Sequence, residues 1–229
     1  MMKIKLVVFD LAGTTVKDNF DVPRVLQKAL YDKGGVEVPL QQATDLMGIP
    51  KPIAIKKLLQ DGGLTSFTED FVEVIHRYFV DSMIDFYRFD LSVGEKPGVS
   101  KAFAALRQAG IKVAVDTGFD REITDVLLER LGWIENGLID ASITSDEVEN
   151  GRPHPDMIFE AMRRTAVTDI HAVAKVGDTA SDMQEGTSAG CLYVIGITTG
   201  AYTVEQLLAE PHTHLAATME EVLAILGIR

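Results

Sequence analysis

Only one of the 229 residues is a cysteine and only one a tryptophan. A lone Cys191 rules out an internal disulfide framework and a cysteine-rich metal site, which suits a reducing compartment. It sits in the apolar run "CLYVIGI", where a core thiol is expected. Long hydrophobic runs are missing as well. The apolar part of "MMKIKLVVFD" is too short to span a membrane and ends in Asp instead of a small-residue cleavage site. That segment reads as a first strand. Positive charge is scarce, with 22 Lys and Arg against 34 Asp and Glu and a net charge of −12, so a nucleic-acid surface is not expected. The acidity is spread along the chain and specifies no partner. No internal repeat or low-complexity tract is present. A soluble, cytoplasmic protein without membrane or nucleic-acid contacts is the expectation.

At 46% hydrophobic residues the chain can bury one large core, or a core with a smaller insertion. Short β-branched runs recur at 5–9, 112–116, 141–145, 172–178 and 191–197. Helical patterns lie between them at 98–110, 121–132, 155–165 and 181–190, and 218–227 reads as a closing helix. Such alternation predicts βαβ units, an α/β fold with a parallel sheet and helices on both faces. From about 16 to 95 the rhythm stops and only helical patterns appear. A helical insertion after the first strand is expected, returning near the Gly/Pro-marked "SVGEKPGVS". The divisions are 1–15 with 96–229 for the core and 16–95 for the insertion.

Ligands of an open parallel sheet sit beyond the carboxyl ends of its strands. There the sequence places Asp10, then Asp116-Thr117-Gly118, then Gly177-Asp178-Thr179 with Asp182 following, and a loop "NGRPHPD" with Arg152. Carboxylates, a hydroxyl beside a glycine and one fixed cation suit a phosphoryl group and a hard divalent cation. Mg²⁺ takes few carboxylate or carbonyl oxygens, so Asp10 and Asp178 are candidate ligands. A carboxylate can also attack phosphorus, splitting one hard step into two. Thr117, the Gly118 amide and Arg152 are candidate phosphoryl binders. A single strand-ending aspartate is more often a turn former or helix cap, and Asp116 and Asp182 each admit that reading.

The four ordered segments "FDLAGTT", "VDTG", "GRPHPD" and "KVGDTASD" resemble the motifs of the haloacid dehalogenase superfamily. That resemblance covers essentially the whole chain. It implies a Rossmann-like core with a helical cap, Asp10 as nucleophile, and Mg²⁺ held by Asp10, the Ala12 carbonyl and Asp178 with Asp182 in support. Phosphatases of the superfamily carry a second aspartate at the place of Ala12, where it acts as general acid and base. Alanine there resembles the phosphonoacetaldehyde hydrolase, or phosphonatase, branch, which breaks a carbon–phosphorus bond with a Schiff-base lysine from the cap. "MGIPKPIAIKKLL" is similar to that branch's Met-Gly-x-x-Lys segment, with Met47 and Gly48 ahead of Lys51 at the Schiff-base position.

Three places depart from the branch pattern: Phe20 for a cysteine, Ala54 for a histidine and Phe119 for a tyrosine. Three readings stand on the sequence. One is a Mg²⁺-dependent phosphonatase-like hydrolase of a small organophosphorus substrate. Another is a phosphatase for a small phosphate ester in which Lys51 only binds charge. The third is a binding protein that retains the phosphate site. The resemblance further suggests a homodimer through the cap. His154 is expected to be an exposed loop imidazole, and His76, His171, His212 and His214 have no metal-ligand spacing. Trp133 and the aromatics of "RYFVDSMIDFYRF" are expected to pack a core or a cap–cap interface.

Overall fold

The computed structural model of the chain describes residues 4–228. Five strands fall on the β-branched runs: β1 (Leu6–Asp10), β2 (Lys112–Thr117), β3 (Ala141–Thr144), β4 (Val173–Gly177) and β5 (Tyr193–Ile197). A sixth, β6 (His214–Ala216), is three residues long, too short for a period-2 pattern to reveal. All pair in parallel in the order β3-β2-β1-β4-β5-β6. Four helices, α1 (Asp21–Gly34), α2 (Leu40–Thr44), α3 (Lys51–Asp61) and α4 (Glu69–Phe89), form the insertion after β1. The rest are α5 (Val99–Gln108), α6 (Arg121–Leu131), α7 (Asp156–Thr165), α8 (Ala180–Ala189), α9 (Val204–Leu208) and α10 (Met219–Ile225). The short α2 and α9 had no readable sequence signal.

Alternation along the strands decides the two layers. On β1, Leu6 and Val8 join Met157, Ile158 and Ala161 of α7, whereas Val7 and Phe9 face the opposite cluster with α5 and the inserted helices. Both faces are covered, so all five β1 residues are buried. The order of connection reverses between β1 and β4, which opens a crevice at their carboxyl ends. Register then sets what stands there, with Asp10 beside Asp116 and Thr117 beside Thr144.

The two connections to the helical insertion run side by side. The Lys17 amide donates to the Gly94 carbonyl at 3.0 Å and the Lys96 amide to the Thr15 carbonyl at 2.8 Å. Helix α4 lies along α6, where Arg77 pairs with Glu122 at 3.0 Å. From α6, Arg130 donates to the carbonyls of Tyr87 and Asp90 at 3.1 and 2.6 Å, satisfying groups that the end of α4 leaves open. Among the described residues no helix is long and apolar enough to cross a membrane.

Trp133 is fully buried, edge-on to Phe103 with ring centres 5.1 Å apart, and its indole donates to Glu95 at 3.1 Å. The indole thus ties the layer below the sheet to the returning connection. Trp133→Ala is expected to cost about 3–5 kcal/mol in urea unfolding, and Trp133→Phe distinctly less.

Candidate active site

A buried ionic network fills the space under the carboxyl ends of β1, β2 and β4. At its centre the guanidinium of Arg152 donates from Nη1 to Asp10 at 2.7 Å, from Nη2 to Asp116 at 2.5 Å and from Nε to Glu185 at 3.1 Å. Asp182 lies 3.0 Å from Nη1. Lys175, in the middle of β4, reaches Asp116 at 2.5 Å, Glu185 at 2.9 Å and Asp182 at 3.2 Å. Burial disfavours ionisation of Asp116, but Arg152 and Lys175 overcome it and hold this carboxyl below its ordinary value. Burial and the facing Asp116 push Glu185 up to about 8. Asp116 is therefore no turn former or cap; it is a fully buried ion-pair partner. Asp182 serves in both ways, since its carboxylate also accepts the Thr179 amide and hydroxyl at the start of α8.

Carboxylates outnumber cations on one side of this network. Asp10, Asp178 and Asp182 each bring an oxygen within 4.8 Å of the others. A second trio, Asp116, Asp182 and Glu185, already surrounds Lys175 and Arg152. The first trio is the one short of positive charge. Burial, with Asp182 and Asp178 adding to it against Arg152 and Lys175, drives Asp10 up to about 8. Burial and Asp182 raise Asp178 to about 6. Asp178 is fixed by the Thr14 hydroxyl at 2.7 Å and the Ala201 amide at 2.6 Å. Gly13, at φ 91°, passes so close that a Cβ there would overlap this carboxylate. A hard divalent cation fits an all-oxygen donor set of this charge.

Above the trio lies a narrow cleft lined by Asp10, Ala12, Met47, Gly48, Lys51, Thr117 and Gly118, together with Asp18, Phe119 and Thr179. The segment before α3 closes it. A Cβ on Gly118 would come within 2.7 Å of the Gly48 carbonyl and 2.8 Å of that of Ile49, so only glycine lets the inserted helices approach so closely. Lys51 begins α3 and is 2% exposed. Its Nζ donates to the Ile49 carbonyl at 3.3 Å and stands 5.4 Å from the ring of Phe119 and 6.0 Å from that of Phe79. Burial lowers its amine to about 8, with Arg152 adding to the shift and Asp10 and Asp120 opposing it. A position at a helix N-terminus also disfavours the ammonium.

Seven sequence-derived candidates thus share one cleft, while Asp178, Asp182 and Arg152 lie outside its lining. Arg152, expected to hold the phosphoryl group, is 1% exposed and is enclosed by carboxylates instead. The aromatics of α4 are not only packing. Phe79 faces Lys51, and Tyr87 meets Phe119 edge-on at 5.9 Å. Phe20 is 44% exposed with its backbone at φ 64° and does not line the cleft. Cys191 is half-buried, its thiol pushed up to about 12 by burial, and His154 is exposed. Lys175 and Glu185 were overlooked, although a lysine in the apolar run "AVAKVGD" was itself a signal. Asp18 was missed too; its carboxylate accepts the Asp21 and Val22 amides at 2.7 and 3.2 Å at the edge of the cleft.

The chain belongs to the haloacid dehalogenase-like hydrolases, whose family model matches residues 4–190. Within that family it is similar to the phosphonoacetaldehyde hydrolase of Bacteroides fragilis, 31% identical over 98% of this chain and 87% of the relative. Among solved structures, a hydrolase from Pseudomonas syringae superposes with a TM-score of 0.86 at 19% identity, covering 97% of this chain and 98% of the other. A phosphonoacetaldehyde hydrolase-like protein from Oleispira antarctica gives 0.83 at 19% identity, covering 98% and 91%.

Removing the central cation leaves carboxylates buried without a partner. Arg152→Met is expected to destabilise the protein by about 3–5 kcal/mol at neutral pH, read from chemical unfolding. The loss should shrink in acid, where the stranded carboxyls take up protons.

Proposed function

We propose that this enzyme cleaves a carbon–phosphorus bond in a small phosphonate bearing an aldehyde, with Asp10 as nucleophile and Lys51 as Schiff-base residue. One observation carries the reading: a buried lysine with a lowered pKa lines the same cleft as Asp10, opposite an alanine that can neither donate nor accept a proton. The helices between β1 and β2 act as a cap that brings this lysine to the core.

The lysine amine attacks the aldehyde carbon, and loss of water gives an iminium. As an Asp10 oxygen attacks phosphorus, the C–P bonding electrons move into the iminium and the carbon departs as an enamine. The departing carbon needs no acid at position 12, because the leaving group is not an alkoxide; water then attacks the aspartyl-phosphate, releasing phosphate and restoring the Asp10 carboxylate. Arg152 holds Asp10 Oδ1 and so presents Oδ2 to the substrate; its role here is to aim the nucleophile, not to bind phosphate. The Thr117 hydroxyl accepts the Phe119 amide at 3.2 Å and keeps its own hydrogen for a phosphoryl oxygen, as does the Gly118 amide. Asp10, the Ala12 carbonyl and Asp178, supported by Asp182, would hold Mg²⁺, which screens the repulsion between carboxylate and phosphonate. Met47 and Gly48 shape the wall nearest the aldehyde.

Borohydride added with phosphonoacetaldehyde is expected to inactivate the enzyme irreversibly and to alkylate Lys51. Lys51→Arg should abolish both trapping and phosphate release. Continued phosphate release by that variant would sink the imine mechanism and favour a phosphate-ester substrate. Turnover should also stop on chelation and return with Mg²⁺.

The same lysine costs stability. Its folded-state pKa lies below the unfolded value of 10.5, so the folded state binds fewer protons between the two values and stability rises with pH across that window. Lys51→Met is therefore expected to gain about 2–3 kcal/mol near pH 7, the gain fading as pH approaches about 10. Thermal unfolding at the two pH values checks this.

A further inference from the structure

Lys96, on the connection that returns from α4, has no part in the machinery above. It is half-buried, and its Nζ donates to the Gly13 carbonyl at 2.6 Å, the Thr199 carbonyl at 2.9 Å and the Thr199 hydroxyl at 3.0 Å. Three acceptors match the three hydrogens of an ammonium. The backbone amide of the same residue donates to the Thr15 carbonyl at 2.8 Å. Lys96 is thereby bonded to two turn segments, residues 11–16 after β1 and 198–201 after β5.

The same two segments grip Asp178. Thr14 donates its hydroxyl to Oδ1 at 2.7 Å and Ala201 its amide to Oδ2 at 2.6 Å, so each oxygen is set by a different segment. Both press on the carboxylate through a glycine, since a Cβ on Gly13 or Gly200 would fall 2.2 or 2.0 Å from Oδ2. Gly13, whose carbonyl Lys96 takes, lies between Ala12 and Thr14, and Thr199 lies just ahead of Gly200 and Ala201. The direction of the Asp178 carboxylate thus depends on where two turns sit, and Lys96 bonds both.

We infer that Lys96 is a positioning residue for the metal site: by fastening the turn after β1 to the turn after β5, its ammonium holds Asp178 in the direction that a divalent cation needs. The inference rests on the proposed Mg²⁺ site and not on the imine. Partners that orient a metal ligand typically account for about 10–100-fold in metal affinity. The sign of the effect separates this role from one of charge. A positive charge beside a cation site repels the ion, so a lysine acting by charge alone would weaken binding, and its loss would tighten it. A lysine acting by position does the reverse.

Calorimetric titration of Mg²⁺ into the substrate-free protein reads this directly. At about pH 9, above the values to which burial raises Asp10 and Asp178, few protons compete with the ion. Lys96→Met should weaken Mg²⁺ binding by about 10–100-fold. Lys96→Gln, equally uncharged but still a donor, should weaken it less, and it carries the comparison if Lys96→Met does not fold. Thr14→Val removes one of the bonds through which Lys96 acts, so in the double variant the two losses should come to less than their sum. Lys17→Met deletes a neighbouring exposed charge and should leave the affinity within about twofold. Unchanged or tighter binding in the Lys96 variants overturns the inference, as do fully additive losses with Thr14→Val. If the wild type binds Mg²⁺ and the Lys96 variants match it, only the positioning role falls. If the wild type binds no Mg²⁺, the metal reading falls and takes the inference with it.

Discussion

One buried guanidinium organises the carboxyl edge of the sheet. Arg152 comes from the loop after β3, yet it touches carboxylates from β1, β2 and α8. Removing a charge from water costs several kcal/mol, so such a residue is held only where partners satisfy it from several sides. The constraint runs in both directions. Because Arg152 is enclosed, Asp10 presents one oxygen inward and one toward the cleft, and Asp116 and Glu185 have no freedom to turn outward. Lys175 completes the base of the network from β4. Beside it stand Asp10, Asp178 and Asp182, three carboxylates that each bring an oxygen within 4.8 Å of the others.

The opposite wall of the cleft is built on the reverse principle. Around Lys51 the surroundings are aromatic and dry, and the charge of the lysine is disfavoured. A carboxylate-rich floor thus faces, across a small space, an amine whose charge is disfavoured by burial. The floor suits a phosphoryl group; the wall suits a carbonyl. Gly118 makes the approach feasible, since any side chain there would strike the Gly48 and Ile49 carbonyls. Stability is given up at both surfaces, which is common where groups are held for chemistry and not for packing.

Much of this was legible in the chain. Four short motifs, in order, carried the class of fold and the polar residues gathered at one edge of the sheet, because a parallel sheet brings its strand ends together whatever lies between them. Lys51 was legible through its Met-Gly neighbours, and the helical insertion through the loss of strand patterning between 16 and 95. The third strand-end set was only half understood. Arg152 announced itself as a fixed cation, but nothing local told whether it would meet a phosphoryl group or carboxylates.

The sequence by itself determined the alternation of elements, the carboxylate of Asp10 at the end of the first strand and the absence of a second one at Ala12, since each depends on residue type and short spacing. Only the tertiary structure decided the network beneath Asp10 and the burial of Lys51. Those depend on registry between strands and on the seating of α3 and α4 against the core, which bring Arg152 within 2.7 Å of Asp10, 142 positions away. Burial and charge at such distances are properties of the folded chain, and it is burial that most shifts the ionisation of both Asp10 and Lys51.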